Sequence, residues 1–279
     1  MRASSCSETL IIMLSYQHVY HAGNRADLLK HAVLCNVLNT LVKDKQPIFY
    51  VETHAARGLY DLSSKEAQKG AEYPEGIGQL WNLKRTPPLL APYLDEVKKV
   101  NPGDKLQFYP GSPKIAGSIL RKTDRMAFFE LHPQEIAHLE TNFKDDDRVQ
   151  IRKADGYRGA LSLAPRGKEQ MVVLIDPSYE TMDDLEALVD WVPRALRRWP
   201  NAIIMIWLPL FKDNREDEFG AYLADLAPGG ISGARWPDDP DSRSALAGTA
   251  MISYRIPQKA VEDSAKIADI CETLWAQQG

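Results

Sequence analysis

The stretch MVVLIDPSYE (171–180) decides the fold. Residues 171–175 are apolar without interruption, as expected of a strand buried on both faces of a parallel sheet. An acid, a proline and an aromatic follow at Asp176, Pro177 and Tyr179. In open α/β sheets, ligands bind at the carboxyl ends of strands. Asp-Pro-Ser-Tyr taken alone reads as an ordinary β-turn. Placed directly after VVLI, it becomes a candidate for chemistry.

Similar apolar runs recur on either side. PIFYVET (47–53), RMAFFEL (125–131), VQIRKA (149–154), AIIMIWLP (202–209) and TAMISYRI (249–256) are bounded by turn residues and read as strands. GISGARW (230–236) is a weaker candidate. Between them lie helical patterns. Residues 25–42 place Ala26, Leu29, Ala32, Val33, Val37 and Leu41 near one stripe, with Asn24 as N-cap and Asp27 in the first turn. Residues 183–199 and 258–276 give two more helices, the first carrying Pro193, which predicts a kink. Strand and helix alternate, so the expected fold is a Rossmann-like, doubly wound α/β domain with a mostly parallel seven-stranded sheet and right-handed crossovers.

The first two strands stand about 70 residues apart, far more than a simple crossover needs. The segment at approximately 59–112 therefore reads as a small helical insertion covering one edge of the cleft, with short helices in GIGQLWNL (76–83) and APYLDEVKKV (91–100). Residues 1–12 are expected to be a disordered extension, leaving 13–279 as the domain.

Composition narrows the class. The chain has 279 residues, 44% hydrophobic and 26% charged, enough for a large core under a solvated surface. Its net charge of −4 argues against attachment to nucleic acid through a general positive field. Local basic groups remain at Arg57, Lys65 and Lys69, at Lys84 and Arg85, and at Arg194, Arg197 and Arg198. No apolar run reaches the roughly 18 residues that span a bilayer. Three cysteines without a CxxC pair suit a reducing cytoplasm. Three of the six histidines, His18, His21 and His31, fall close together, but no carboxylate or cysteine stands at a familiar ligand spacing, so no metal is expected.

The loop after VVLI suits methylation of an exocyclic amine. Such a nitrogen is a poor nucleophile because its lone pair is delocalised into the ring. Asp176 and the Pro177 carbonyl can each accept one N–H and aim that lone pair, while Tyr179 can stack on the base face, worth roughly 1–3 kcal/mol. Orientation and local electrostatics would supply the catalysis.

The loop resembles the (Asp/Asn/Ser)-Pro-Pro-aromatic motif of N6-adenine methyltransferases, with Ser178 in place of the second proline. From Met13 onward the whole chain resembles the RlmJ family of bacterial large-subunit rRNA adenine-N6 methyltransferases. The resemblance rests on MLSYQHVYHAGNRADLLKH (13–31), ETHAARGLY (52–60), YPGSP (109–113), ELHP (130–133), KADGY (153–157) and IDPSY (175–179), in that order. It implies a class I methyltransferase fold, S-adenosylmethionine as cofactor, and N6 of an adenine in 23S rRNA as target, adenine 2030 in the bacterial numbering. The expected RNA is protein-free or in an assembly precursor, because the base must be unpaired or flipped. Nothing demands more than a monomer.

The resemblance further implies that Lys30, His31, His54, Ser112, Glu130, Asp155, Gly156 and Asp176 contact the cofactor, and that Tyr16 lies near the substrate base. The residue types make physical sense. Glu130, after the RMAFF run, can accept the ribose hydroxyls, as acids do in dinucleotide folds. Asp155 can accept from the cofactor's adenine amine, and Lys30 can pair with its methionine carboxylate. Taken singly, Glu130 is equally well a strand-end acid, Asp155 an Asp-Gly turn, and any one histidine a satisfied structural residue.

One loop departs from the family pattern: Ala56 and Arg57 stand where glycine and alanine are usual. If Ala56 needs a positive φ, cofactor affinity should fall; Arg57 could compensate by reaching the methionine carboxylate or an RNA phosphate. Two other function classes compete. A DNA adenine methyltransferase would share the loop but normally carries a separate target-recognition domain. A non-catalytic RNA-binding protein would tolerate the Ser178, Ala56 and Arg57 departures. Protein glutamine methylation uses a similar loop that usually begins with Asn, which Asp176 disfavours.

Overall fold

A computed structural model describes residues 17–179, 183–238 and 244–277; Tyr16 and residues 1–12 lie outside the described residues. Helix α1 (Arg25–Leu41) precedes strand β1 (Ile48–Glu52). Next come β2 (Leu59–Asp61), α2 (Lys65–Gly70), α3 (Ile77–Trp81), α4 (Ala91–Lys99), β3 (Phe108–Pro110) and α5 (Ser112–Ile119). The chain continues through β4 (Arg125–Phe129), α6 (Pro133–Phe143), β5 (Val149–Arg152), α7 (Gly156–Leu161), β6 (Gln170–Ile175) and α8 (Asp183–Arg198). It ends with β7 (Ile203–Phe211), α9 (Asp217–Ala224), β8 (Gly229–Arg235), β9 (Leu246–Tyr254) and α10 (Gln258–Ala276).

The main sheet has seven strands in the order β5-β4-β1-β6-β7-β9-β8, all parallel except β9, which runs antiparallel to both neighbours. Each strand expected from the apolar runs is present, including the weak candidate at 230–236, which forms the edge strand β8. From β1 the chain steps outward to β4 and β5, then returns to place β6 on the other side of β1. That reversal opens a crevice at the carboxyl ends of β1 and β6, where doubly wound sheets bind ligands.

Apolar side chains from the two faces form two layers. One joins α1, α5 and α10 to the sheet through residues such as Leu29, Val33, Ile115 and Trp275. The other buries Leu185, Leu188 and Trp191 of α8 against Val51, Val173 and Ile206. Burial of each large aliphatic side chain contributes roughly 1.5–3 kcal/mol, which is why the apolar runs locate strands so reliably. Helix α1 begins at Asn24, whose side-chain oxygen accepts the Asp27 N–H. It is buried nearly all round because the sheet, α10 and the 59–112 segment cover it on different sides. Helix α8 continues through Pro193.

The 59–112 segment differs from a purely helical insertion. β2 and β3 pair as an antiparallel ribbon, Leu59 opposite Pro110 and Asp61 opposite Phe108. Three-residue strands are too short to show a period-two pattern. Leu62, Ile77, Leu80, Tyr93 and Val97 from this segment lie in the same apolar layer as α1, so it is part of the domain core.

Candidate active site

A cavity of about 780 Å³ opens at the carboxyl ends of the central strands. Glu130 follows β4, Asp155 and Gly156 follow β5, and Asp176 to Tyr179 follow β6; all of them line it, as do His54 and Lys30. Its volume falls in the range usual for small-molecule sites. Gly156 makes a close approach to the end of β1: a Cβ there would fall 1.8 Å from the Thr53 carbonyl oxygen. The Asp155 carboxylate caps α7 by accepting the Arg158 N–H at 2.7 Å. Two carboxylates on the cavity wall fit a ligand with vicinal hydroxyls and an aromatic amine, which S-adenosylmethionine offers.

At the β6 end the electrostatics are concentrated. Lys30 Nζ donates to Asp176 Oδ2 at 2.6 Å and stands 2.8 Å from Asp27 Oδ1. Lys30 and Asp27 are 3% and 1% exposed, so this ammonium is shared by two carboxylates away from bulk water. Burial alone would lower the lysine pKa, but both carboxylates oppose it and hold the value above the ordinary one. Lys30 was expected to meet a methionine carboxylate; its direct partners here are the two aspartates.

The β1 loop carries the departures from the family pattern. Ala56 has φ 50, the left-handed region, and its N–H donates to Glu130 Oε2 at 2.8 Å. The other oxygen of Glu130 accepts the His132 N–H at 2.7 Å, so two loops fix this carboxylate at the cavity wall. Arg57 does not reach into the cavity to replace a lost contact. Its guanidinium grips Glu135 bidentately at 2.9 and 2.5 Å. The loop therefore keeps its shape at the expense of backbone strain in Ala56. Left-handed φ costs an L-residue roughly 1–2 kcal/mol, and glycine gives back part of that in unfolded-chain entropy. Ala56→Gly is therefore expected to stabilise the fold by about 0.5–1 kcal/mol, with cofactor affinity held or improved. Denaturant unfolding checks this; a less stable variant would show that Ala56 is not strained.

Two expected cofactor contacts do not line the cavity. His31 is 1% exposed and points into the insertion, with Nδ1 2.6 Å from the Tyr109 hydroxyl and its ring stacked on that tyrosine at 5.7 Å. Ser112 is 5% exposed and donates to Glu52 Oε2 at 2.9 Å. Both lie one layer behind the wall, His31 clasping β3 to α1 and Ser112 holding a buried acid. Tyr179 does line the cavity, yet its ring meets Trp207 edge to face at 5.3 Å and its hydroxyl donates to the Trp207 carbonyl at 2.5 Å. Its φ of 51 turns the chain back to reach that position.

Three participants escaped the sequence reading. Asp27 looked like a helix-start acid. Trp207 sat inside an apolar run, but it lines the cavity with Nε1 donating to Thr249 Oγ1 at 2.7 Å. Glu52 ends an otherwise apolar strand, the only signal it gave, and accepts the Tyr50 hydroxyl at 2.7 Å as well as Ser112. The basic group Arg194, Arg197 and Arg198 lies toward the far end of α8, roughly 20 Å along the helix from Asp184 at the cavity.

Buried titratable groups here give a pH signature. Burial holds His31 down to about 3 from an ordinary 6.5, and pushes Glu52 up to about 8 from 4.5 against the pull of its two hydrogen bonds. Burial also lowers His54, to about 4, but that ring faces the cavity and counts for less. Below pH 6.5 the unfolded chain takes protons that the folded histidines exclude, so their contribution is present above 6.5 and falls with acidification. Folded Glu52 keeps a proton that the unfolded chain releases near 4.5, so its contribution is lost as pH rises toward 8. Stability should thus decline from pH 6.5 to 8 by up to about 1.4 kcal/mol per pH unit. Glu52→Gln is expected to remove most of that decline, the remainder coming from His21, whose pKa is raised by its hydrogen bond to Glu72. Urea unfolding across the window measures it, and an unchanged slope would mean that Glu52 is not held neutral.

Comparisons with known proteins agree with this architecture. Residues 45–278 match the family described as "Ribosomal RNA large subunit methyltransferase D, RlmJ". Helix α1 with Lys30 precedes that stretch. The Haemophilus influenzae protein named ribosomal RNA large subunit methyltransferase J is 41% identical over 199 residues, 71% of each chain. Its Escherichia coli namesake is 38% identical over 198 residues, again 71% of each. A crystal structure of a Legionella pneumophila protein superposes with a TM-score of 0.82 at 28% identity, covering 91% of this chain and 94% of that one.

Proposed function

Because this chain belongs to the RlmJ family of ribosomal RNA large-subunit methyltransferases, we propose that it transfers a methyl group from S-adenosylmethionine to N6 of an adenine in 23S rRNA, at the position corresponding to adenine 2030. The observation that carries this reading is the placement of Asp176 and Pro177 in one cavity with Glu130 and Asp155. S-adenosylmethionine supplies an electrophilic methyl group on a sulfonium.

The chain's own residues do the rest. Glu130 holds ribose hydroxyls and Asp155 an adenine amine on the inner side of the cavity. Gly156 lets the start of α7 pack on the Thr53 backbone, which sets Asp155 at the cavity wall, and His54 lies alongside. The Asp176 carboxylate accepts one N–H of the target amine and the Pro177 carbonyl the other. This orients the lone pair and stabilises positive charge developing on nitrogen. Lys30 engages Asp176 Oδ2, so Oδ1 is the oxygen assigned to the substrate. Asp176 then takes up the proton after transfer. The Tyr179–Trp207 pair forms an aromatic wall for the flipped base. His31 and Ser112 serve as supports behind the site. Tyr16 is retained as a contact of the substrate base. The same reading places the enzyme in the cytoplasm, acting as a monomer on protein-free rRNA or an assembly precursor.

Incubation with labelled S-adenosylmethionine and protein-free 23S rRNA, followed by nucleoside analysis, tests the proposal. Label is expected in N6-methyladenosine; its absence there would reject the reading. Duplex DNA should not compete, and effective competition would favour a DNA enzyme.

A further inference from the structure

We infer that Asp27 is a positioning residue for methyl transfer, acting through Lys30 to keep one oxygen of Asp176 open to the target amine. The inference rests on the reading of Asp176 as the amine acceptor. A first-turn acid ordinarily serves its helix as an exposed charge near the positive end of the dipole, worth roughly 0.3–1 kcal/mol. Asp27 is instead 1% exposed and forms the hub of three segments. Its Oδ2 accepts the Gly23 N–H at 2.8 Å and lies 2.9 Å from His18 Nε2. Its Oδ1 faces Lys30 Nζ at 2.8 Å, with His31 Nε2 beyond at 3.9 Å. Burial would raise this carboxyl's pKa, but His18 and Lys30 overcome that and hold it well below the ordinary range.

The geometry divides labour between the two oxygens. Oδ2 is saturated by contacts that fix the turn before α1. Oδ1 is left to the Lys30 ammonium, its nearest partner among the described residues at 2.8 Å. Lys30 in turn gives its hydrogen bond to Asp176 Oδ2. An ammonium has three N–H groups. With the Asp27 charge removed, no carboxylate balances Asp176 on that side, and Lys30, still over the Trp207 ring at 5.7 Å, can turn a second N–H toward Asp176. Both oxygens of Asp176 would then be covered, and the substrate amine would lose its acceptor. Glu52 also lies behind this pair, but burial favours its neutral form, so it does not replace Asp27.

The test uses the isosteric variant Asp27→Asn in the full chain. Single-turnover rates on protein-free 23S rRNA are expected to fall about 10- to 100-fold, the scale of a small misplacement of catalytic groups. The calorimetric Kd for S-adenosylmethionine should stay within about threefold of the parent value, since the cofactor contacts are untouched. The Lys30 ammonium signal in nitrogen-detected NMR, assigned with Lys30→Met, should shift or broaden in Asp27→Asn. The double variant Asp27→Asn/Lys30→Met should be no slower than Lys30→Met alone, because the second change acts through the first. An unchanged rate in Asp27→Asn overturns the proposal, as does a lower rate with an unaltered Lys30 signal. If Asp27→Asn does not fold, Asp27→Ser takes its place under the same criteria: an unchanged rate, or a lower rate with an unaltered Lys30 signal, overturns the proposal. An inactive parent enzyme would reject the methyltransferase reading instead, while the NMR comparison would still report whether Asp27 restrains Lys30.

Discussion

Replacing Asp176 by alanine is expected to lower the rate of methyl transfer by a factor on the order of 10²–10⁴, with a much smaller change in cofactor affinity. The proposed work of this carboxylate is on the target amine, which it meets only in the productive complex. An interaction realised chiefly in the transition state appears in kcat when removed. Some cofactor affinity should also be lost, because Asp176 lines the cavity beside Pro177 and Tyr179. The deletion leaves Lys30, 3% exposed, with Asp27 as its remaining close carboxylate. A buried cation keeping one partner is destabilised less than one stripped of both, so the variant should fold. Asp176→Asn separates the two tasks: its amide oxygen can still accept an N–H but cannot take the proton. It should fall between alanine and the parent. Single-turnover kinetics beside calorimetric titration with S-adenosylmethionine make the comparison. Parent-like turnover in Asp176→Ala, with tight cofactor binding, would remove this residue from the mechanism.

Gly156→Ala should be the most damaging single methyl group near the site. Its Cβ would fall 1.8 Å from Thr53 O and 2.5 Å from Thr53 C, both backbone atoms. Thr53 cannot withdraw easily, because its N–H donates to the Leu174 carbonyl at 3.1 Å and extends the pairing of β1 with β6. Relief must come from moving the start of α7, which carries Asp155. We expect a loss of roughly 1–3 kcal/mol in stability, and a Tm lower by about 2–5 °C. Cofactor affinity should fall at least about tenfold, since displacement of Asp155 widens the inner wall of the cavity. Scanning calorimetry and cofactor titration read both effects. Gly103→Ala is the control: a Cβ there meets nothing within 4 Å, so the exchange should be nearly neutral. Equal effects at the two positions would show that close approach at Gly156 is unimportant.

Much of this molecule is legible from residue order. The central strands announce themselves because a strand covered on both faces must be apolar at successive positions, and the runs at 171–175 and 202–209 satisfy that locally, whereas the half-exposed edge strand β8 gave only a weak signal. Helix α1 is marked by Asn24, whose capping bond to Asp27 is a contact over three residues. The site acids could be nominated because they follow strands, where the sheet opens. Other features depend on contacts across the chain. The β2–β3 ribbon joins segments about 50 residues apart, and each strand is too short for its pattern to speak. Lys30 and Asp176 are separated by 146 residues, so no spacing rule could assign the ammonium to that carboxylate. His31 and Ser112 belong to the same motifs as cavity residues, yet their side chains point behind the wall.

The sequence alone determined the layered α/β architecture, the order of its main strands along the chain and the loops that close the cavity, because short-range patterning of apolar residues and caps controls each of these. Only the tertiary structure decided which side chains from those loops meet. Whether Lys30 serves the cofactor or Asp176, whether Arg57 reaches the cavity or Glu135, and whether Glu52 is neutral all depend on burial and on partners brought from distant segments. Burial and long-range pairing set the electrostatics of a site, and neither is a property of neighbouring residues in the chain.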